Sequence, residues 1–95
     1  MKVHCQTNLD LYNEEWPIDL PCIPRVGDYI VSRTEHADMF SLKLEVVSVT
    51  WVYHRLWHEW QTTIELHIPK SYKLSIKQFY EWYAPKVGKS VSYFL

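Results

Sequence analysis

Residues 42–53 read LKLEVVSVTWVY, and after six further residues the chain reads WQTTIELHI at residues 60–68. In the second segment, alternate positions from Thr62 to Ile68 form one face and Thr63, Glu65 and His67 form the other. A period of two is typical of a strand with one buried and one solvated face. The pattern therefore predicts a long β-hairpin as the scaffold of the chain.

The first arm of this hairpin changes phase within the strand. Its apolar positions are even-numbered up to Val46 and odd-numbered from Val47 to Tyr53. A strand changes face only by accommodating an extra residue, so we predict a β-bulge near Val46 and Val47. The alternative is that neighbouring elements cover both faces of this strand.

The rest of the chain adds strands before the hairpin and a helix after it. A weakly alternating segment over residues 2–12 predicts a first strand, and the three prolines within residues 16–24 favour an extended crossing or an edge strand. We predict that Ser32–Ser41 is a polar loop. This loop and the hairpin tip are the two candidate binding regions, because binding residues usually lie on loops at the rim of a rigid scaffold. We predict the strands within residues 2–68, and the partly alternating end, residues 90–95, is either a short closing strand or an interface segment.

A C-terminal helix is predicted over residues 76–84. Ser75 and Gln78 have the spacing of a capping box, and we expect Pro85 to end the helix at Ala84. One face of the helix is an apolar stripe of Ile76, Phe79, Tyr80 and Tyr83.

Ninety-five residues support a single domain over residues 1–95, with residues 86–95 as a C-terminal tail. The predicted fold class is mainly β (α+β). We expect a small bent antiparallel sheet or an SH3-like barrel with one C-terminal helix.

The pentapeptide Pro24-Arg25-Val26-Gly27-Asp28 is typical of a turn that precedes an apolar strand, because glycine adopts positive φ without steric cost. Together with Val49-Thr50-Trp51, it resembles small uncharacterised bacterial β-barrel proteins that share this strand opening. The resemblance covers residues 21–68 and implies a small β-barrel. It brings no activity and no functional residues.

Charge is distributed unevenly along the chain. Residues 1–68 hold five Lys or Arg against ten Asp or Glu, and residues 69–95 hold five against one. Either the basic tail docks on the acidic body of its own or a neighbouring copy, or it forms a basic patch.

The N-terminal segment lacks the basic and apolar regions of a signal peptide, and no apolar run approaches the ~20 residues that span a bilayer. We therefore expect a soluble cytoplasmic protein, no membrane partner, and buried inert thiols at Cys5 and Cys22.

The sequence offers little for catalysis or cofactor binding. With only two glycines, it has no phosphate-binding loop or dinucleotide fingerprint, and no nucleophile elbow is present. His54 and His58 are four residues apart, but they lie at a predicted hairpin tip, where exposure or stacking on aromatic rings is the simpler expectation. We predict no enzyme activity, no cofactor and no metal site.

Five tryptophans, seven tyrosines and three phenylalanines exceed what one small core can hide. We therefore predict a non-catalytic binding or assembly module that uses exposed aromatics for protein–protein contact or self-association as a homodimer. Exposed Trp and Arg side chains anchor such interfaces. The predicted binding residues are Arg55, Leu56, Trp57, Trp60 and Trp82. For Trp57 the alternative is that it folds back and seals the barrel end.

Nucleic-acid binding by a small β-barrel is the second interpretation. Such barrels stack bases on surface aromatics beside basic residues. The aromatics would be Trp57, Trp60, Trp82 and Tyr72, and phosphate contacts would come from Arg25, Arg55, Lys70, Lys73 and Lys77. The near-neutral net charge of −1 disfavours it, because electrostatics usually dominates such binding.

Overall fold

The computed structural model describes residues 2–12, 16–33 and 41–95, and Arg33 by its backbone. It contains four strands, β1 (Val3–Thr7), β2 (Tyr29–Arg33), β3 (Ser41–His54) and β4 (Glu59–His67), and one helix, α1 (Ile76–Lys86). Short 3₁₀ turns cover Lys70–Tyr72 and Val91–Tyr93. The mainly β fold class with one C-terminal helix is confirmed. Most of the predicted polar loop, residues 34–40, lies outside the described residues.

The strands form one open sheet in the order β1-β4-β3-β2. β3 pairs antiparallel with both β2 and β4, whereas β1 pairs parallel with β4, with Val3 opposite Thr62. The sheet is therefore mixed rather than purely antiparallel. Of the two predicted architectures it is the bent sheet, since no pairing of the described strands closes it into a barrel.

The predicted hairpin and its bulge are both present. Val46 lies opposite Leu66 and Ser48 lies opposite Glu65, so Val47 is the extra residue. The bulge restores one face to the strand, because the even-numbered apolar side chains before it and the odd-numbered ones after it then point to the same side.

The core lies between this face of the sheet and α1. It contains Leu42, Leu44 and Val46 of β3, Ile64 and Leu66 of β4, and Phe79, Tyr80 and Tyr83 of α1. The chain before β2 packs on the same core through Leu9 and, at its margin, Trp16. The segment 16–24 is an extended crossing, with a single bridge between Lys2 and Asp19.

The first turn of α1 has the predicted capping hydrogen bonds, whereas the last residue of the helix differs from the prediction. The Gln78 N–H donates to the Ser75 hydroxyl (3.1 Å) and the Ser75 N–H donates to the Gln78 side chain (2.9 Å), which is the predicted capping box. The helix continues to Lys86, two residues beyond the predicted end. Pro85 lies in the last turn, where its missing N–H removes only one intrahelical bond.

Three side chains differ in burial from the sequence interpretation. Ile76 is 42% exposed, so the buried helical stripe begins only at Phe79. Cys5 is half-buried and Cys22 is exposed, and both are free thiols. Cys22 lies among the prolines of the extended crossing, which runs over the surface, and this explains why it is not buried.

Candidate interaction surface

The flanking strands stop short of the hairpin tip. β2 accompanies β3 only over Ser41–Glu45, and β1 accompanies β4 only over Thr62–Leu66. Residues 47–61 therefore continue past β2 as a ribbon. β1 still flanks this ribbon as far as Thr62, which lies opposite Trp51, so among the described residues the ribbon is two-stranded only over residues 52–61. A two-stranded hairpin is marginally stable by itself in water, so the side chains and edges of this ribbon have the strongest need for further contacts.

The ribbon carries large apolar side chains outside the core. Tyr53 lies opposite Trp60, and their ring centroids are 5.0 Å apart. The exposed fractions are 51% for Trp51, 44% for Tyr53, 89% for Leu56, 66% for Trp57 and 65% for Trp60. We call these five residues the hairpin patch. Trp51, Tyr53 and Trp60 lie on the same face of the sheet as the core, since Trp51 pairs with the buried Thr62.

The tip is a four-residue turn held by local contacts. The Trp57 N–H donates to the His54 carbonyl (3.3 Å), and His58 has a left-handed backbone with φ of 50°. The imidazole of His54 lies 5.2 Å from the Trp57 ring and 2.8 Å from the Gln61 side-chain oxygen. Trp57 thus packs on the tip itself and does not cover the core.

The two histidines of the tip contact different side chains. His58 contacts the Tyr53 hydroxyl at 3.3 Å through Nδ1, while His54 contacts Gln61 through Nε2. Within the described ranges no group of three or more His, Cys, Asp or Glu could hold a metal ion. Each imidazole instead has a hydrogen-bond partner on the ribbon.

Arg55 is exposed at the turn, and the charges around it are mixed. Beside the tip, an open depression of about 430 Å³ lies between the N-terminal end of β4 and the extended crossing of residues 16–24. Its lining combines apolar and charged side chains of both signs: Lys2, Ile18, Asp19, Trp57, Glu59 and Trp60. The surface next to the hairpin patch therefore favours neither a strongly acidic nor a strongly basic partner.

Trp82 lies at the opposite end of the molecule. It is 43% exposed and lines a cleft of about 250 Å³ with Leu42, Ile68 and Leu74, among others. Leu42 and Tyr53 are eleven residues apart on β3, which is roughly 35 Å at the usual rise of a strand. The structure therefore brings Arg55, Leu56, Trp57 and Trp60 together and separates Trp82 from them.

Trp51 and Tyr53 belong to the hairpin patch but were absent from the predicted binding residues. Sequence alternation correctly assigns them to the core-side face of β3. What it does not reveal is that β2 and α1 end before they reach this part of the face. The available signal was the length of the first arm, since a strand of fourteen residues far exceeds flanking strands of five.

The polar face of the sheet contains a small hydrogen-bonded group. Ser48 donates to Glu65 Oε2 (3.3 Å), and His67 Nε2 contacts Glu65 Oε1 (3.0 Å). The carboxylate stands between the hydroxyl and the imidazole, so the imidazole contacts the carboxylate rather than the hydroxyl. Both His67 and Glu65 are more than a third exposed, as is usual for a solvated strand face.

No family model, curated protein or solved structure matches the chain. Among the described helices, none is long and apolar enough to cross a membrane.

Proposed function

We propose that the protein is a non-catalytic binding or assembly module that self-associates through the hairpin patch. The observation that carries this proposal is the position of the patch. Five large apolar side chains lie outside the core, four of them on the two-stranded part of the ribbon and Trp51 at its start. Aromatic residues at the centre of such surfaces supply most of the binding energy in protein interfaces.

The size of the patch suits a reversible interface. Aromatic side chains bury about 150–250 Å² each when fully covered, so five half-exposed residues leave on the order of 500 Å² per copy. Two copies would then bury roughly 1,000 Å², just below the ~1,200–2,000 Å² of standard stable interfaces. We therefore expect a weak homodimer whose population depends on protein concentration.

The proposal places the module in the cytoplasm as a protein without enzyme activity or cofactor. In a reducing compartment both thiols stay unpaired, and neither takes part in the interface. Burial raises the pKa of the Cys5 thiol, which lowers its reactivity further. The partner is a second copy or another protein, with no membrane contact.

Nucleic-acid binding remains the second candidate, and one observation favours it. The C-terminal region is basic and exposes Tyr72 and Trp82. However, Lys86 Nζ lies 5.2 Å from the Trp82 ring, and Lys89 Nζ lies 4.7 Å from the Tyr12 ring, so these cations already contact aromatic faces of their own chain. Binding of single-stranded oligonucleotides that weakens steeply with salt would support this candidate over self-association.

The test compares the oligomeric state of single alanine variants. In Trp57→Ala and Trp60→Ala the monomer stays folded, because neither indole is part of the core. We expect each variant to weaken dimerisation at least tenfold, since an interface hot spot contributes about 2 kcal/mol or more. Sedimentation velocity over a dilution series measures the dissociation constant.

Trp82→Ala is the matched control, since it removes an indole of intermediate exposure from the other end of the molecule. Its dissociation constant should stay within about twofold of the wild type. Equal dissociation constants for Trp57→Ala, Trp60→Ala and the wild type would contradict the proposal. Unfolding of Trp57→Ala would place that side chain in the core instead.

A further inference from the structure

Part of the outer edge of β3 has no strand beside it among the described residues. The neighbouring chain follows this edge as far as Val46, whose carbonyl accepts from the Gly27 N–H (2.8 Å) and whose N–H donates to the Asp28 carbonyl (2.8 Å). Beyond Val46, no described strand pairs with the edge that faces away from β4. The backbone groups of Val49–Tyr53 that point away from β4 therefore have no partner among the described strands and are open to another strand.

The sequence of this edge lacks the features that normally block pairing. Natural edges carry charges, prolines or short strands that prevent another chain from adding to the sheet. Residues 46–53, VVSVTWVY, contain no charge, no proline and no glycine, and are rich in β-branched and aromatic residues. By contrast, the outer edge of β1 is covered at its start, where the Val3 N–H donates to the Ile18 carbonyl (2.9 Å) and Lys2 bridges Asp19.

We propose that two copies of the chain join through this edge by antiparallel pairing of Val49–Tyr53 of one copy with Val49–Tyr53 of the other. The inference rests on the proposed self-association and specifies its geometry. The two-fold axis passes near Trp51, so each copy contributes the same strand to one continuous sheet. The backbone hydrogen bonds of the new ladder hold the dimer together, and the hairpin patch provides its apolar contacts.

In this register the edge is complementary to itself. The strand that pairs with it therefore comes from a second copy of the chain. Trp51 lies beside Trp51 of the second copy, and Val49 lies opposite Tyr53, so cross-strand pairs are aromatic or β-branched. On the other face, Thr50 lies opposite Val52, and no charges oppose each other. The pairing ends before Val46, where Gly27 and Asp28 already occupy the edge.

The test uses charge pairs on the solvated face of the ribbon. Thr50 and Val52 are exposed, so T50K/V52K and T50E/V52E should both fold. In the proposed register, like charges are adjacent in each homodimer, which weakens it at least tenfold. Mixing the two variants places opposite charges side by side, and we expect a one-to-one heterodimer at least as tight as the wild type in low salt.

The control is Q6K/T63K, which adds the same two charges to the same face but away from the β3 edge. It should dimerise within about threefold of the wild type. A concentration-dependent slowing of amide exchange along Val49–Tyr53 reports the pairing directly in the unmodified chain.

If T50K/V52K or T50E/V52E dimerises alone as tightly as the wild type, or if mixing restores nothing, edge pairing is overturned. Self-association through the patch alone then remains. A wild-type chain that stays monomeric overturns both.

Discussion

Tyr83 connects the helix to the N-terminal part of the chain through a single hydroxyl. It is fully buried, and its oxygen accepts from the Tyr12 N–H (2.9 Å) and donates to the Tyr12 carbonyl (3.3 Å). The neighbouring Tyr80 hydroxyl accepts from the Asp10 N–H (2.6 Å). Two phenols of α1 thus satisfy backbone groups of a segment that has no strand partners of its own.

Replacing Tyr83 by phenylalanine should lower the free energy of unfolding by about 1–3 kcal/mol, because it removes both hydrogen bonds between the phenol and the partly buried backbone of Tyr12. Urea denaturation measures the change. Tyr29→Phe is the matched control, since this phenol is exposed, and its effect should stay within about 0.5 kcal/mol. Equal stabilities of Tyr83→Phe and the wild type would show that solvent replaces the phenol at no cost.

Sequence reasoning identified these tyrosines as helix-stripe residues but not the hydrogen bonds they make. Periodicity reports which face of a helix is apolar. It says nothing about which backbone groups, some seventy residues away in the chain, come within reach of a hydroxyl.

At the scale of single elements, the bulge of β3 determines which side chains face the core. Val47 is the extra residue, and it keeps Leu42, Leu44 and Val46 on the same face as Val49 and Trp51. Without it, the two halves of the strand would present their apolar side chains to opposite faces of the sheet.

Deletion of Val47 should therefore destabilise the fold by more than about 3 kcal/mol, whereas Val47→Ala, which retains the extra residue, should cost about 1 kcal/mol. Thermal or urea unfolding of the two variants provides the comparison. If the deletion variant were as stable as Val47→Ala, the register shift would have no structural importance.

The hairpin, the bulge and the helix cap could all be predicted from the sequence, because each depends on residues close together in the chain. The parallel pairing of Val3 with Thr62 could not, because β1 is short, weakly alternating and fifty-nine residues from its partner. The position of Trp82 was missed for a related reason. Helical periodicity does not specify which end of the sheet a helix covers, and α1 lies at the end that contains Leu42 rather than the tip.

For the whole molecule, the elongated shape follows from one long hairpin and short neighbours. The described chain measures 44 × 25 × 24 Å along its principal axes, and its core lies toward the end that contains α1. Of the five tryptophans, Trp16 packs at the core margin and the other four are at least 43% exposed. The prediction that one small core cannot bury all five tryptophans is confirmed.

The basic C-terminal tail, which gives the sequence its uneven charge distribution, contacts other parts of its own chain in the structure. Lys89 Nζ lies 4.7 Å from the Tyr12 ring and 5.1 Å from the Tyr93 ring, so the tail docks on its own body partly through cation–π contacts. The Phe94 ring stacks on Tyr80 at 5.1 Å. These contacts place the tail at the helix end of the molecule, away from the hairpin patch.

Sedimentation of the wild-type protein shows whether the hairpin patch joins two copies of the chain. Over a dilution series, we expect a reversible monomer–dimer equilibrium that persists at about 1 M salt, because apolar burial is not screened by ions. A protein that sediments as a monomer at every concentration, or whose association disappears as salt is added, would contradict it.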